Sequence, residues 1–165
     1  MIRKYQPADF SWLQNWVTDS KALFTFAGPS WSFPLTMEQI IDHQQKCPFK
    51  QLYVGVDETD APFAIGEIIT NEEHAPRLGR LLVADPAKRG MGLGEKFIHE
   101  LIDRLIQLHG ATEICLFVLE ENTAAIRTYK KIGFRLSEEN IPDMVYDNNP
   151  YPVFKMVLKL GTSIP

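Results

Sequence analysis

The 165-residue sequence predicts an α/β domain built on a mixed sheet, and three observations carry that reading. Strand-length apolar runs and helical patterns interleave along the chain without repeat, low-complexity tract or linker. Several strand-like runs follow one another directly, so the sheet contains adjacent strand pairs as well as strands separated by helices. The length suits one domain, residues 1–165, around a single sizeable core.

Ile2 to Gln6 reads as a short first strand. Pro7-Ala8-Asp9 offers a helix start, with Phe10, Leu13, Trp16 and Val17 on one face. Phe24 to Pro34 holds Gly28, Pro29 and Pro34 among aromatic residues and is expected to be a loop. A second helix follows, with Thr36 as N-cap and Ile40 and Ile41 as its apolar side. Leu52 to Val56 and Phe63 to Thr70 form a hairpin about the turn Asp57-Glu58-Thr59-Asp60. Leu78 to Ala84 is a further strand. From Gly92 to His109, Leu93, Phe97, Leu101, Ile102, Leu105 and Ile106 share a helical face, which Gly110 ends. Glu113 to Leu119 is a buried-type strand and Thr123 to Lys131 a short helix capped by Gly133. Phe134 to Leu136 and Val153 to Leu160 supply the last strands. The expected sheet has about six to seven strands flanked by about four helices.

Composition narrows the function classes. A net charge of −4 gives no bulk reason to expect nucleic-acid binding and is weakly compatible with a cationic acceptor. Cys47 and Cys115 lie far apart without metal-type spacing, which argues against a disulfide framework or a metal site. Cys115, in the run Ile114 to Val118, reads as a small core residue. The N-terminus has no signal-peptide apolar region, and no apolar run approaches membrane-spanning length, so a cytoplasmic location without membrane partner is expected. His43, His99 and His109, on helices, read as surface residues.

The segment from Leu81 to Glu95 carries the most information. It runs strand, loop, helix, with Gly90, Gly92 and Gly94 alternating at the junction. Glycines let a backbone approach a ligand closely, and free N–H groups of a helix's first turn attract anions. Lys88 and Arg89 add positive charge at the same end. The Gly-Lys-Ser/Thr of a Walker loop is absent, and Glu95 stands where a dinucleotide fingerprint needs glycine. A helix packed tightly on a strand is the alternative, purely structural reading.

The pattern Arg89-x-x-Gly92-x-Gly94 resembles the acetyl-coenzyme A loop of the GNAT (GCN5-related N-acetyltransferase) superfamily. A second match follows in the expected order: Asn122-Thr123-Ala124-Ala125-Ile126-Arg127-Thr128-Tyr129-Lys130-Lys131-Ile132-Gly133-Phe134 is similar to that superfamily's late helix. Tyr5-x-Pro7-x-Asp9-Phe10, the aromatic loop and Pro34-Leu35-Thr36 resemble the branch related to ribosomal-protein N-acetyltransferases.

The resemblance implies the GNAT fold and direct acetyl transfer from acetyl-coenzyme A to a primary amine. The acceptor is a small molecule such as an antibiotic or polyamine, or else a protein N-terminus or lysine. The alternative is a non-catalytic coenzyme A-binding sensor or interaction module, and a homodimer is compatible with either. The resemblance further implies that the strand at Leu81 to Ala84 splays from that at Glu113 to Leu119. The pantetheine arm then pairs with backbone of Leu82, Val83 and Ala84, with the register open by one residue. The pyrophosphate sits over Arg89, Gly90, Met91, Gly92, Leu93, Gly94 and Glu95. Asn122 is read both as a helix N-cap and as a pantetheine contact. Tyr129 is read as a half-buried aromatic or, within the motif, as the general acid for the departing thiolate. Arg77, Leu78 and Arg80 occupy the region where many members carry a glutamate base. Glu67 is the first candidate base, with a solvent-facing strand position as the alternative; Glu72, Glu73 and His74 follow, and a water chain remains. A backbone N–H near Val83 or Ala84 would hold the reacting carbonyl oxygen. Phe24, Phe26, Trp31 and Phe33 read as mostly core, whereas the resemblance places their loop near the acceptor mouth with Trp31 lining the pocket, and the acidic segment Asp143 to Tyr151 faces the same mouth.

Overall fold

A computed structural model describes residues 1–72, 76–84 and 90–161. Its elements are β1 (Ile2–Lys4), α1 (Phe10–Trp16), α2 (Ser20–Ala27), α3 (Met37–Lys46), β2 (Lys50–Val56), β3 (Pro62–Ile69), β4 (Arg77–Val83), α4 (Leu93–His109), β5 (Glu113–Leu119), α5 (Thr123–Ile132), β6 (Arg135–Leu136), β7 (Met144–Tyr146), β8 (Asn149–Tyr151) and β9 (Val153–Lys159). The described strands form a seven-stranded sheet in the order β1-β2-β3-β4-β5-β9-β6, with β7 and β8 as a separate ribbon. All sheet neighbours are antiparallel except β4 and β5, so the sheet is mixed as expected.

Helices cover both faces, which explains the nearly continuous apolar character of the central strands. Strand residues alternate between two cores. Tyr53, Ala64, Ile68 and Leu78 pack with Phe97, Leu101 and Leu105 of α4. Leu52, Val54, Val56 and Ile65 pack with Leu13 of α1, Leu23 and Phe26 of α2, and Ile40 of α3. Each fully buried Leu, Ile or Phe contributes about 1.5–3 kcal/mol, so both faces hold the sheet between its helices.

Two elements depart from expectation. The segment from Phe24 opens inside α2, which Asp19 caps by accepting a 2.7 Å hydrogen bond from the Ala22 amide; only after Ala27 does the chain turn at Gly28. The stretch Asp143 to Tyr151 contains a hairpin, turned by Asp147 and Asn148, both with positive φ. Phe24 stacks on Tyr146 at 4.9 Å and meets Tyr151 at 5.2 Å, which docks the hairpin on α2. The expected caps are present. Thr36 accepts from the Gln39 amide and Asn122 from the Ala125 amide.

Candidate active site between two splayed strands

The parallel pair β4–β5 holds for only two residue pairs, Arg77 with Cys115 and Leu78 with Leu116. Beyond Leu78 the strands diverge, and a cavity of about 260 Å³ occupies the opening, lined by Gly79, Leu81, Phe117 and Leu119 among others. Asn122 and Tyr129 reach the same cavity from α5. Tyr129 is buried, with its ring edge-on to Phe134 at 6.0 Å, and burial raises its phenol pKa above the usual tyrosine value. The hydroxyl therefore keeps its proton at neutral pH.

Backbone direction in β4 follows from its register. Ala84 donates its N–H to the Phe63 carbonyl at 2.9 Å, and Val83 stands opposite Ala64. Successive residues in an antiparallel pair turn their backbone groups to alternate sides, so those of Val83 point away from β3 toward the opening. Leu82 and Ala84 turn theirs to β3.

The β3–β4 pairing breaks the usual alternation at one point. From Ile65 opposite Leu82 to Glu67 opposite Gly79, β3 advances two residues while β4 covers three. This bulge centres on Arg80, at φ +44°, a conformation that a bulky residue adopts rarely. The extra residue puts Arg80 on the α1–α3 face beside Gly79, instead of on the α4 face with Leu78. There its guanidinium donates to Glu67 at 2.5 Å and to Ser30 Oγ at 2.7 Å, and lies 4.5 Å above the Trp31 ring.

Glu67 has no solvent exposure, so the solvent-facing alternative is excluded. Its second oxygen lies 2.5 Å from His43 Nε2. Burial alone would raise the Glu67 pKa, but the His43 hydrogen bond and the Arg80 charge outweigh it and hold the carboxyl below its ordinary value. His43 is buried, contrary to the surface expectation, because it falls one turn after Ile40 on the inward face of α3; Ile41 is instead exposed. Trp31 is buried too and stands behind the cavity wall, edge-on to His43 at 5.2 Å, rather than among the lining residues. It supports Arg80, which does line the cavity, as do Arg77 and Lys50. Glu67 is not in that lining, and Glu72 is exposed and outside it. Glu73, His74, Lys88 and Arg89 lie outside the described residues.

At the far end of β4 stands the start of α4. Gly92 is its N-cap at φ +75°, Gly90 has φ +77°, and no atom of the described residues lies within 4 Å of where a side chain would begin at either. Lys96 is the first residue of the helix to return its amide, to Gly92, so the first-turn amides of Leu93, Gly94 and Glu95 have no partner within the helix. Gly94 answers a packing need: a Cβ there would lie 2.9 Å from Val83 Cγ2. Met91 is largely exposed, and Glu95 pairs with Lys131 of α5 at 2.6 Å. Gly94 thus fits the structural reading of the glycine loop, a helix packed closely on a strand.

A mixed sheet opened between one parallel pair, with a glycine-led helix at its end, is the GNAT fold, and solved structures agree. Spermidine N-acetyltransferase from Vibrio cholerae in complex with CoA and spermine superposes with a TM-score of 0.79 at 15% identity, covering 96% of this chain and 94% of that one. A domain from Methanocaldococcus jannaschii aligns with TM-score 0.74 and 16% identity, over 97% of both chains. Residues 53–141, more than half of the chain, match the family model described as FR47-like protein, and the chain belongs to that family. Mycothiol acetyltransferase from Mycolicibacterium vanbaalenii is 34% identical over 74 residues, 41% of this chain and 25% of that protein. The same enzyme from Corynebacterium glutamicum is 32% identical over 72 residues, 42% and 24% of the respective chains. The match spans about a quarter of the length of these curated relatives. Among the described residues no helix is long and apolar enough to cross a membrane.

Proposed function

We propose that the chain is an N-acetyltransferase that moves an acetyl group from acetyl-coenzyme A to a primary amine by direct attack. The observation that carries this reading is the β4–β5 opening, with Tyr129 and Asn122 on one wall and the amides of α4 at its end. Membership of the FR47-like family and the names of the relatives support it.

The unpaired edge of β4 offers Val83 N–H and C=O to an extended amide-bearing arm, as a neighbouring strand would. The first-turn amides Leu93, Gly94 and Glu95, with Gly90, Met91 and Gly92 before them, receive the pyrophosphate; Arg89, assigned to the same contact by the sequence motif, lies outside the described residues. Asn122 serves as N-cap of α5 and touches the arm. Acetyl-coenzyme A, when bound, supplies an activated thioester: the amine nitrogen bonds to the acetyl carbon, the C–S bond breaks, and coenzyme A leaves as thiolate. Val83 N–H stabilises negative charge on the carbonyl oxygen. Tyr129, kept protonated by burial, donates its phenolic proton to the thiolate and is restored by the second proton that the amine nitrogen sheds as the amide forms.

The ammonium form of the acceptor loses a proton before attack. Glu67 is a poor direct acceptor, because both oxygens are engaged and its proton affinity is lowered. In this mechanism Glu67 positions Arg80 in the cavity wall, and the proton leaves through water at the mouth. Thiol release from acetyl-coenzyme A with an amine panel tests the reading: acceptor-dependent release supports it, and coenzyme binding without release on any amine would favour the sensor.

A further inference from the structure

We infer that the acceptor amine carries an anionic group, a carboxylate or its equivalent, and that Arg77 and Lys50 receive it. The inference rests on the acetyltransferase reading of the cavity and names its substrate class.

Lys50, Ile69 and Arg77 stand in register across β2, β3 and β4. Side chains in one cross-strand row leave the sheet on the same face, here the face that also carries Glu67, two residues from Ile69. Two strand spacings separate the Lys50 and Arg77 backbones by roughly 10 Å. Long side chains from both can converge on one small ligand. Both residues line the cavity, as does Arg80, whereas among the described residues no Asp or Glu lines it.

The three cations are not equivalent. Arg80 is neutralised by Glu67. Among the described residues Arg77 and Lys50 make no ion pair, and both are partly buried. Arg77 Nε is buried without a hydrogen-bond partner, and its guanidinium lies 5.3 Å over the Phe117 ring. The ring contact restrains the guanidinium, whose edge offers a fork of donors that matches a carboxylate. A half-buried cation without a counter-charge is unfavourable until a ligand anion supplies one. Phe24, Phe117 and Met144 give the remaining lining an apolar character. An amino acid with an apolar side chain has these features together. A polyamine would bring positive charge against Arg77 and Lys50 with no lining carboxylate to receive it, which reverses the weak expectation drawn from net charge.

Thiol release with acetyl-coenzyme A is to be compared for leucine, methionine and phenylalanine, their amides, and spermidine. In parallel, calorimetry with coenzyme A present measures N-acetylmethionine against N-acetylmethioninamide, a readout that needs no turnover. The acids should exceed their amides by about tenfold or more in kcat/KM or affinity, the range of charge-assisted hydrogen bonds. Arg77→Gln should reduce the acid-to-amide ratio about tenfold, with Arg77→Lys retaining part of it. Lys50→Gln provides a second variant should Arg77→Gln fail to fold. Absence of acid preference in both assays, a faster reaction with spermidine, or an unchanged ratio in the folded variants would overturn the inference. Failure of the acetyltransferase reading looks different: acetyl-coenzyme A would not bind, or would bind without thiol release on any amine, and the inference would fall with it.

Discussion

Replacing Arg80 with methionine removes one of two partners from a carboxylate that has no solvent exposure, and the consequence can be worked from the geometry. The Glu67 side chain is 0% exposed and that of Arg80 is 9% exposed, so solvent screens the pair weakly. Breaking a buried pair from one side leaves an uncompensated charge and costs about 3–5 kcal/mol. His43 stays in place, so the lower end of that range applies. Methionine inherits the same positive φ as arginine and conserves much of its volume, so backbone strain largely cancels from the comparison. For a domain of this size a loss of about 3 kcal/mol corresponds to a fall in Tm of about 6–12 °C. Urea unfolding at neutral pH measures it, with Glu67→Gln/Arg80→Met as the control that should recover at least half of the loss. A single variant that loses less than about 1 kcal/mol would refute the reasoning, because the pair would then behave like an exposed one.

Three further outcomes follow from the same geometry. The Glu67 carboxyl is held below its ordinary pKa, so its contribution to stability is fully present above the ordinary carboxylate range and is lost as pH falls through the lower folded-state value; Glu67→Gln should flatten that acid limb of a pH–stability curve. Gly94→Ala would press a methyl against Val83 at 2.9 Å and should destabilise the domain by about 1–3 kcal/mol in urea unfolding, while weakening acetyl-coenzyme A in calorimetry. Tyr129→Phe should lower kcat by about 100-fold with little change in acetyl-coenzyme A affinity, and an unchanged kcat would remove Tyr129 as the acid.

How far the sequence reaches depends on the range of the signal. Gly92, Gly94, Asn122 and Tyr129 were legible because their constraints are local: a turn, a cap, and a residue two helical turns from that cap. The α2 helix was hidden by Gly28 and Pro29, although Asp19 three residues before Ala22 was an available cap signal. The β7–β8 hairpin likewise carried its mark in Asp147-Asn148, since paired residues with positive φ are what a two-residue hairpin turn requires. The cluster of His43, Glu67 and Arg80 had no such mark. Its members are 24 and 13 residues from Glu67 and meet only because α3 packs on β3 and a bulge turns Arg80 to that face. Spacing along one sequence carries no information about a bulge in a neighbouring strand. The charge of the cavity was equally out of reach, because Lys50 and Arg77 become neighbours only through the β2–β3–β4 register.

We propose that the β4–β5 opening and the start of α4 form one coenzyme site. Calorimetric titration of acetyl-coenzyme A into the full chain and into Gly92→Val is the decisive comparison. One-to-one binding to the full chain is expected, with a loss of about tenfold or more in the variant, since valine strains a positive-φ position and intrudes where the pyrophosphate approaches. Absence of binding to the full chain, or equal affinity in a folded variant, would contradict it.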